Sequence, residues 1–391
     1  MSLRWTKSEL LMNGTIAVSL YRSRRSKLVV AVGDVPGPMV KGCISFATEA
    51  DSEEGLPHTV EHLVFSGSKK YPFTGFLTMV ASRCLASKIN AYTDQDRTGF
   101  ILNTVGSEGF LKALPVFLDN ILSPVLSNSH FATEIHHING KGEDAGVVYC
   151  ETQGHESEMS RIIDRKTKEI MYPPNNPYRV DVGGRPKNLR ETCSLDRIRD
   201  FHKKYYHLSN MFIVVCGRVD HKRLLEIAEA AEEEHLHIVP ASFRRPFSSC
   251  QLVLPPESSV HHVACPSDDE CSGMVVISWL ACEATNYEER VAFDVLFAYL
   301  SCSPVSPLQQ KFVFIDTPLA SEVGIYICEQ ITCLMQLMFR GVPTKRLNDV
   351  EAKCMDEVIK EHLLDNTWDM KRIGDLITKI AKAELKKVKE G

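Results

Sequence analysis

The chain has 391 residues, of which 44% are hydrophobic, and its formal net charge at pH 7 is -5. This length favours two to three globular domains of about 150 residues each. The acidic balance and the spread of the 45 Lys and Arg residues exclude a basic surface for nucleic acid. No apolar run reaches the roughly 18 residues of a membrane span. Thirteen cysteines without a C-x-x-C pair, and no signal peptide, predict reduced thiols in a cytoplasmic protein. Glu9 disfavours a mitochondrial presequence.

In chain order, strand-like and helix-like segments alternate. Strands are predicted in KLVVAVGDV and KGCISFATEA, helices in GLPHTVEHLVFSG and MVASRCLASKIN, and a strand, turn and strand in AYTDQDRTGFILNTV. An amphipathic helix follows in SEGFLKALPVFLDNIL, and one long helix is predicted over 142–171. A helix from Ser194 or Leu195 to Tyr206, a strand in NMFIVVCGRV and a helix in DHKRLLEIAEAAEEEHL complete a first unit.

The segment VPASFRRPFSSCQLVLPPESS is rich in Pro and Ser, which is typical of a linker. Beyond it, strands are predicted in GMVVISWLA and SEVGIYICE, and helices in YEERVAFDVLFAYL and RLNDVEAKCMDEVIKEHLL. We therefore expect an α+β fold with two α/β sandwich units, each a mostly antiparallel sheet packed with helices. The predicted boundaries are a first unit at 1–240, a linker at 241–258 and a shortened unit at 259–391.

The segment GLPHTVEHLVFSG places two histidines and a glutamate in an apolar helix. At about 100° per residue, His58, Glu61 and His62 share one sector, and the opposite sector is aliphatic. Two imidazoles one turn apart can chelate a single Zn²⁺ ion. Glu61 lies between them in projection, where it can act as a general base toward water at the metal. The H-x-x-E-H pattern is the inverted form of the H-E-x-x-H motif of zinc peptidases, so the sequence predicts a zinc site here.

A catalytic zinc site usually has three protein ligands, so one more is needed. Spacing alone leaves several histidines and one glutamate open as the third ligand: His136, His137, Glu151, His155, His235, His237, His261 and His262. On the helix predicted over 142–171, however, Asp144, Glu151 and His155 fall on one face. That face could supply a ligand together with a neighbour that orients it.

The stretches GLPHTVEHLVFSGSKKYP, NAYTDQD and EDAGVVYCETQG resemble the pitrilysin and insulin-degrading enzyme family of inverted-motif zinc metallopeptidases. Their order is most similar to the presequence-protease branch and its uncharacterised cytosolic relatives. RIRDFHKKYYHLSNMFIVVCGRVD and GVPTKRLNDVE also resemble the family. The resemblance implies Glu151, at the end of GVV-x-x-E, as the third zinc ligand. It also implies Asp144 as a helper acid behind the ligands, an Asp where many relatives carry Glu.

The resemblance further implies an endopeptidase that cleaves short unfolded peptides with one Zn²⁺ per chain. The strand that begins at Asn90, Ala91 and Tyr92 is similar to the edge strand on which these enzymes lay an extended substrate. Main-chain hydrogen bonds along such an edge give affinity with little demand on sequence. We therefore expect Asn90, Ala91 and Tyr92 to bind substrate, with Glu61 as the general base.

Size is the departure from this family. Full enzymes of the presequence-protease type have two similar halves that close as a clamshell, and the second half supplies an Arg and a Tyr that hold substrate. The present 391 residues resemble the N-terminal half only. We expect either a peptidase completed by a second chain, as in the mitochondrial processing peptidase, or a catalytically impaired subunit that binds peptide or a partner. A hydrolase of non-peptide bonds is a third hypothesis, but the sequence contains no pattern typical of a pocket for such a substrate.

Overall fold

The structure, a computed structural model, describes residues 4–12, 16–248, 250, 257–354 and 368–390. The chain divides into two compact units. The first takes in Met1–Glu156, Asn175–Cys250 and Val388–Gly391, and the second takes in Ser157–Pro174 and Gln251–Lys387. The segment 157–174 therefore packs with the second unit, although it interrupts the first in sequence. The boundaries expected from the sequence, on either side of a linker at 241–258, stay a prediction.

A mixed sheet forms the centre of the first unit. In chain order the strands of this unit are β1 (Trp5–Met12), β2 (Ile16–Ser23), β3 (Val29–Gly33), β4 (Met39–Ala47), β5 (Asn90–Thr93), β6 (Arg97–Val105), β7 (His137–Ile138), β8 (Asp144–Ala145) and β9 (Met211–Cys216). All except β7 and β8 form one sheet in the order β1-β2-β3-β9-β4-β6-β5. Neighbouring strands are antiparallel except β3 and β9, which are parallel. Strand β5 thus lies at one edge, and β7 and β8 form a separate ribbon.

Helices pack with this sheet in the first unit. They are α1 (Leu56–Leu63), α2 (Phe76–Arg83), α3 (Ser107–Leu122), α4 (Asn128–Glu134), α5 (Val147–Glu156), α7 (Pro186–Glu191), α8 (Leu195–Tyr205) and α9 (His221–His235). Helix α6 (Met159–Met171) follows α5 in sequence and belongs to the second unit. The central helix is α3, which buries Phe110, Leu114, Phe117 and Ile121 at helical spacing. Sequence analysis predicted this helix despite Pro115, and the structure confirms it.

Helix α1 begins at a glycine for a steric reason. Gly55 has a left-handed φ of 67°, and a Cβ atom there would lie 2.8 Å from the carbonyl oxygen of Gly183 and 3.0 Å from the Cα of Gly184. The loop at 175–184, which ends in Gly183 and Gly184, therefore packs backbone to backbone against the start of α1. Its carbonyls also accept two hydrogen bonds from Gln95, in the turn between β5 and β6. This loop thus contacts both helix α1 and the hairpin of β5 and β6.

The second unit is smaller. Its strands β10 (Ser272–Glu283), β11 (Glu322–Cys328) and β12 (Thr332–Pro343) form an antiparallel sheet in the order β10-β12-β11. Its helices are α6, α10 (Tyr287–Ser301), α11 (Leu347–Lys353) and α12 (Met370–Glu390). Phe312 and Phe339 pack together in its core, with ring centroids 4.8 Å apart. Both units combine sheet and helix, which confirms the α+β class.

Two helices predicted from the sequence are wrong in extent. The stretch 142–171 contains the short strand β8 and two helices, because Gly146 has a φ of 126° and Glu158 an extended backbone. The MVASRCLASKIN segment is helical only to Arg83, because Leu85 takes a left-handed φ of 54°. RLNDVEAKCMDEVIKEHLL begins as α11, and its part beyond residue 354 lies outside the described residues. Among the described residues, no helix has the length and hydropathy to cross a bilayer.

Candidate metal centre

Helix α1 presents two histidines side by side. The rings of His58 and His62 lie 4.8 Å apart at a near-perpendicular angle. The other face of the helix buries aliphatic side chains in the core: Leu56, Val60 and Leu63. The side chains of His58 and His62 stay 16% and 22% exposed. The apolar face thus fixes the helix, while its polar face keeps both imidazoles accessible.

Glu151 joins the two histidines from helix α5. Its Oε2 lies 3.9 Å from His58 Nε2 and 3.6 Å from His62 Nε2, and its side chain is 48% exposed. Helix α5 starts just after Gly146, where a Cβ atom would come within 2.4 Å of the Ile135 carbonyl oxygen. This close backbone approach, with the hydrogen bond from Tyr149 N–H to Ile135 O, sets the start of α5.

The three side chains fit a divalent metal ion. Their ligand atoms all lie within 4.8 Å of one another. Two ligands of a tetrahedral zinc ion with bonds of 2.0–2.2 Å are about 3.4 Å apart, so the observed separations need only a small closure. Two imidazoles and a carboxylate are also a donor set of catalytic zinc sites. Burial, with the nearby His58, lowers the pKa of His62 to about 4, which keeps its imidazole in the neutral form that binds metals.

Glu61 lies on the same face of α1, and a strand holds its carboxylate. Thr93 Oγ1, at the end of β5, donates a 2.6 Å hydrogen bond to Glu61 Oε2. Burial raises the pKa of Glu61, an effect that Thr93 and His58 oppose and Glu151 reinforces. Glu61 Oε1 accepts no hydrogen bond from the described part of the chain. One carboxylate oxygen is therefore anchored and the other can take a proton.

Asp144 lies elsewhere than the spacing argument placed it. Helix α5 begins at Val147, so Asp144 is in β8 and does not share a helical face with Glu151 and His155. Its carboxylate accepts from His136 Nε2 at 2.8 Å and Tyr149 OH at 3.2 Å. The hydrogen bond from His136 is the main cause that lowers the pKa of Asp144. The structure brings Asp144 to His136, and its role as a helper acid behind the ligands stays a prediction.

Glu134 is a residue of the centre that sequence analysis missed. It ends helix α4, and its Oε2 lies 3.8 Å from His62 Nδ1, the ring nitrogen that points away from Glu151. This separation is longer than the roughly 2.7–3.2 Å of a hydrogen bond, so Glu134 would orient the ring of His62 only after a small approach. No spacing rule links position 134 to the motif, and only the packing of α4 against α1 brings them together.

Among the alternatives for a third ligand, Glu151 is the one that the described structure brings to both motif histidines. His136 contacts Asp144, and His137 Nδ1 lies 2.6 Å from the Ala132 carbonyl oxygen. His235 belongs to a different group, with Asp119 and Glu234. His261 is exposed and contacts Ser259. Spacing left these histidines open as ligands, and within the first unit the structure gives His136, His137 and His235 other contacts.

The expected substrate-binding residues lie on β5, at the edge of the sheet. Asn90, Ala91 and Tyr92 pair with Ile101, Phe100 and Gly99 of β6. No strand of the described residues pairs with the outer side of β5. Because Thr93 of this strand reaches Glu61, the free edge runs directly past the candidate metal centre.

Comparisons with known proteins agree with this architecture. A sequence model of the insulinase family (peptidase family M16) matches residues 46–151, and a model of the peptidase M16 inactive domain matches residues 192–367. A protease from Helicobacter pylori has a similar structure, with a TM-score of 0.74 and 18% identity over 96% of this chain and 86% of that one.

Two curated relatives show how much of a longer protein this chain matches. An uncharacterised Caenorhabditis elegans protein is 53% identical over 98% of this chain and 38% of its own length. Presequence protease 1 of Arabidopsis thaliana is 27% identical over 81% of this chain and 30% of its own length. The chain thus spans less than half of these relatives. With both domain models matched in order around the observed fold, the chain belongs to peptidase family M16.

Proposed function

We propose that this chain is a zinc metalloendopeptidase that hydrolyses short unfolded peptides. The observation that carries the proposal is the convergence of His58, His62 and Glu151 within 4.8 Å, with Glu61 on the same helix face. The two imidazoles and the carboxylate would hold Zn²⁺. When bound, zinc acts as a Lewis acid toward the scissile carbonyl and makes water more acidic.

The chain's own residues divide the remaining work. Glu61 Oε1 accepts the proton of the attacking water and returns it to the leaving amine. Thr93 holds Glu61 Oε2, so the carboxylate keeps one orientation through both transfers. Glu134, behind His62 Nδ1, keeps the other nitrogen of that ring directed at the metal.

Peptides are the substrate class that the free edge of β5 favours. An extended peptide that adds a strand beside Asn90, Ala91 and Tyr92 would satisfy main-chain donors and acceptors that β6 leaves open on the outer side. A folded protein has few extended segments to offer, so unfolded peptides would be preferred. The edge runs toward Glu61, which would place a scissile bond at the metal.

The proposal is tested by zinc content, measured by elemental analysis, together with cleavage of a quenched unstructured peptide with and without a chelator. We expect one equivalent of zinc lost on mutation of His58 or His62. Glu61→Gln should keep that zinc and lose at least about 100-fold in kcat, the usual contribution of a general base. Glu226→Gln, on the exposed face of α9 beside Lys222, is a matched control that should change neither. Full activity of Glu61→Gln would contradict the proposal.

A second candidate function is a catalytically impaired subunit that binds peptide or a partner chain. This chain matches only 38% and 30% of the length of the two relatives, which favours this candidate, since the rest of those proteins could supply residues that hold substrate. It predicts zinc binding and peptide binding without cleavage by this chain alone. Recovery of cleavage when the part of a longer relative that this chain does not match is added would favour a chamber built from two parts.

A further inference from the structure

A second group of metal-ligating side chains lies in the first unit, where two helices end. Asp119 is in the last turn of α3, and Glu234 and His235 end α9. Asp119 and His235 are only 5% and 3% exposed, while Glu234 reaches the surface. Their ligand atoms lie within 4.8 Å of one another, as in the group around Glu151.

One oxygen of the buried Asp119 carboxylate lacks a hydrogen-bond partner in the part of the chain that the structure describes. Its Oδ2 is buried and accepts no hydrogen bond from the described residues. Its Oδ1 lies 4.0 Å from His235 Nε2, which is longer than the 2.7–3.2 Å of a hydrogen bond. A buried polar atom without a partner is costly, and most such atoms in native proteins bind a side chain, a water or an ion.

The orientation of His235 leaves room for a cation. Its Nδ1 lies 3.4 Å from Ser123 Oγ, so an N–H at Nδ1 can donate to that hydroxyl. In this tautomer the lone pair of Nε2 points toward the Asp119 carboxylate. A cation between them would be bound by the Nε2 lone pair on one side and by the Asp119 carboxylate on the other.

The two helix ends add to the attraction for a cation. The C-terminus of an α-helix carries a partial negative charge from its unsatisfied carbonyls. Helix α3 ends at Leu122 and α9 at His235, and these helices pack against each other. Two negative helix ends therefore lie beside two carboxylates and an imidazole.

We propose that Asp119, Glu234 and His235 form a second divalent-metal site, of the zinc type, that joins α3 to α9. An imidazole with two carboxylates suits zinc better than magnesium, which prefers oxygen ligands alone. Ser123 orients the histidine from behind, as partners of ligand histidines do. The buried position assigns the site a structural role, with water at the exposed side of Glu234 completing the coordination.

Lys70 competes with the metal. Its Nζ donates a 3.2 Å hydrogen bond to Glu234 Oε2. Both side chains are about half exposed, so water and salt screen the pair and it is weak. A divalent ion would displace the ammonium from Glu234.

The test uses a His58→Gln, His62→Gln double variant, which lacks the first site. We expect it to bind one equivalent of Zn²⁺ after dialysis, measured by elemental analysis, and one Co²⁺ with the visible spectrum of tetrahedral nitrogen and oxygen ligation. Adding Asp119→Asn or His235→Gln should remove that equivalent. Circular dichroism and the metal-free Tm verify that each variant is folded. No zinc in the double variant, or zinc that survives Asp119→Asn, would overturn the proposal.

A surface variant gives a test that does not disturb the buried residues. In the same double variant, Lys70→Met should tighten the apparent Zn²⁺ affinity by at least about threefold, since it removes the competing ammonium. Lys222→Met, at an 86% exposed position of α9, should leave the affinity unchanged. Equal affinities for Lys70→Met and Lys222→Met would contradict the assignment of Glu234 as a ligand. Every variant in this test lacks the first metal site, so the measured Zn²⁺ affinities do not depend on peptidase activity.

Discussion

Thr93 at the end of edge strand β5 donates a 2.6 Å hydrogen bond to Glu61 on helix α1. The hydrogen bond couples the proposed peptide-binding edge to the proposed general base. A hydrogen bond to a charged group contributes about 1.5–3 kcal/mol. Thr93→Val removes the donor at nearly constant volume, so we expect kcat to fall roughly 10- to 100-fold while zinc content is unchanged. Thr93→Ser keeps the hydroxyl and should retain most activity; equal rates for Val and Ser would refute this role.

The carboxylate behind His62 should control zinc affinity. Loss of a partner that orients a ligand histidine typically weakens metal binding by about 10- to 100-fold. We expect that loss for Glu134→Gln, because Glu134 lies 3.8 Å from His62 Nδ1. Asp144→Asn is the control, since Asp144 contacts His136 and Tyr149, and should change affinity less than about twofold. Zinc competition titrations measure both, and the reverse ranking would support Asp144, and not Glu134, as the orienting residue.

Main-chain pairing with β5 predicts a period of two in the substrate. Successive N–H groups of an extended peptide point in opposite directions, so only alternate ones can face the strand edge. N-methylation of single peptide bonds, scanned along a peptide substrate, should raise KM at every second position near the cleavage site. Binding to the Glu61→Gln variant provides the same readout without turnover. A uniform effect along the peptide would argue against strand addition.

A buried histidine outside the centre should make folding stability depend on pH. Burial lowers the pKa of His202 to about 4 from its usual 6.5, while its Nε2 donates to the Ile121 carbonyl. Between these values the unfolded chain binds the proton and the folded one does not. Stability is therefore full above pH 6.5 and falls by about 3 kcal/mol toward pH 4.

The measurement is urea unfolding at pH 7 and pH 4.5. His202→Gln keeps an N–H donor for Ile121 but does not titrate, so its stability should fall less than that of the wild type between the two pH values. Acidic groups lower both proteins' stability alike, and the difference between the two slopes isolates His202. Identical slopes would contradict the buried neutral ring.

Alanine substitutions at two glycines with similar φ can distinguish the cost of backbone strain from the cost of a steric clash. Gly55 has φ 67° and Gly75 has φ 79°, but only at Gly55 would a Cβ meet backbone atoms, at 2.8–3.0 Å. Gly75→Ala should cost about 1 kcal/mol from strain alone. Gly55→Ala should cost more and also weaken zinc binding, because it displaces the start of α1. Chemical denaturation and zinc titration test this, and equal costs would remove the role given to the Gly183–Gly184 loop.

The sequence was informative where one segment contains the whole signal. The periodicity of α1 placed His58 and His62 on one face, and the Asp-rich turn after Thr93 marked the hairpin of β5 and β6. Predictions of helix length from residue spacing were wrong where the backbone leaves the helical conformation at a residue that does not clearly mark a helix end. Leu85 ends α2 in a left-handed conformation that leucine rarely adopts, and Gly146 ends any continuous helix through Glu151.

Other features depend on contacts between distant parts of the chain. Glu134 reaches His62 because α4 packs on α1, and Asp119 meets His235 because α3 packs on α9. Neither relationship follows a periodicity, so one sequence contains no signal for it. Asp144 shows the reverse case, since its spacing to Glu151 suggested a shared helix that the fold replaces with a β-ribbon.

Strand β5 has only four residues, Asn90–Thr93. A strand this short offers about two outward-facing N–H and C=O sets, each contributing about 0.5–1.5 kcal/mol net. Pairing along it alone would therefore hold a peptide no more tightly than a millimolar dissociation constant, about 4 kcal/mol. Fragments would depart quickly after cleavage, and the edge would discourage two folded copies from joining into a continuous sheet. The short length of this strand thus favours rapid binding and release of peptides over their long retention.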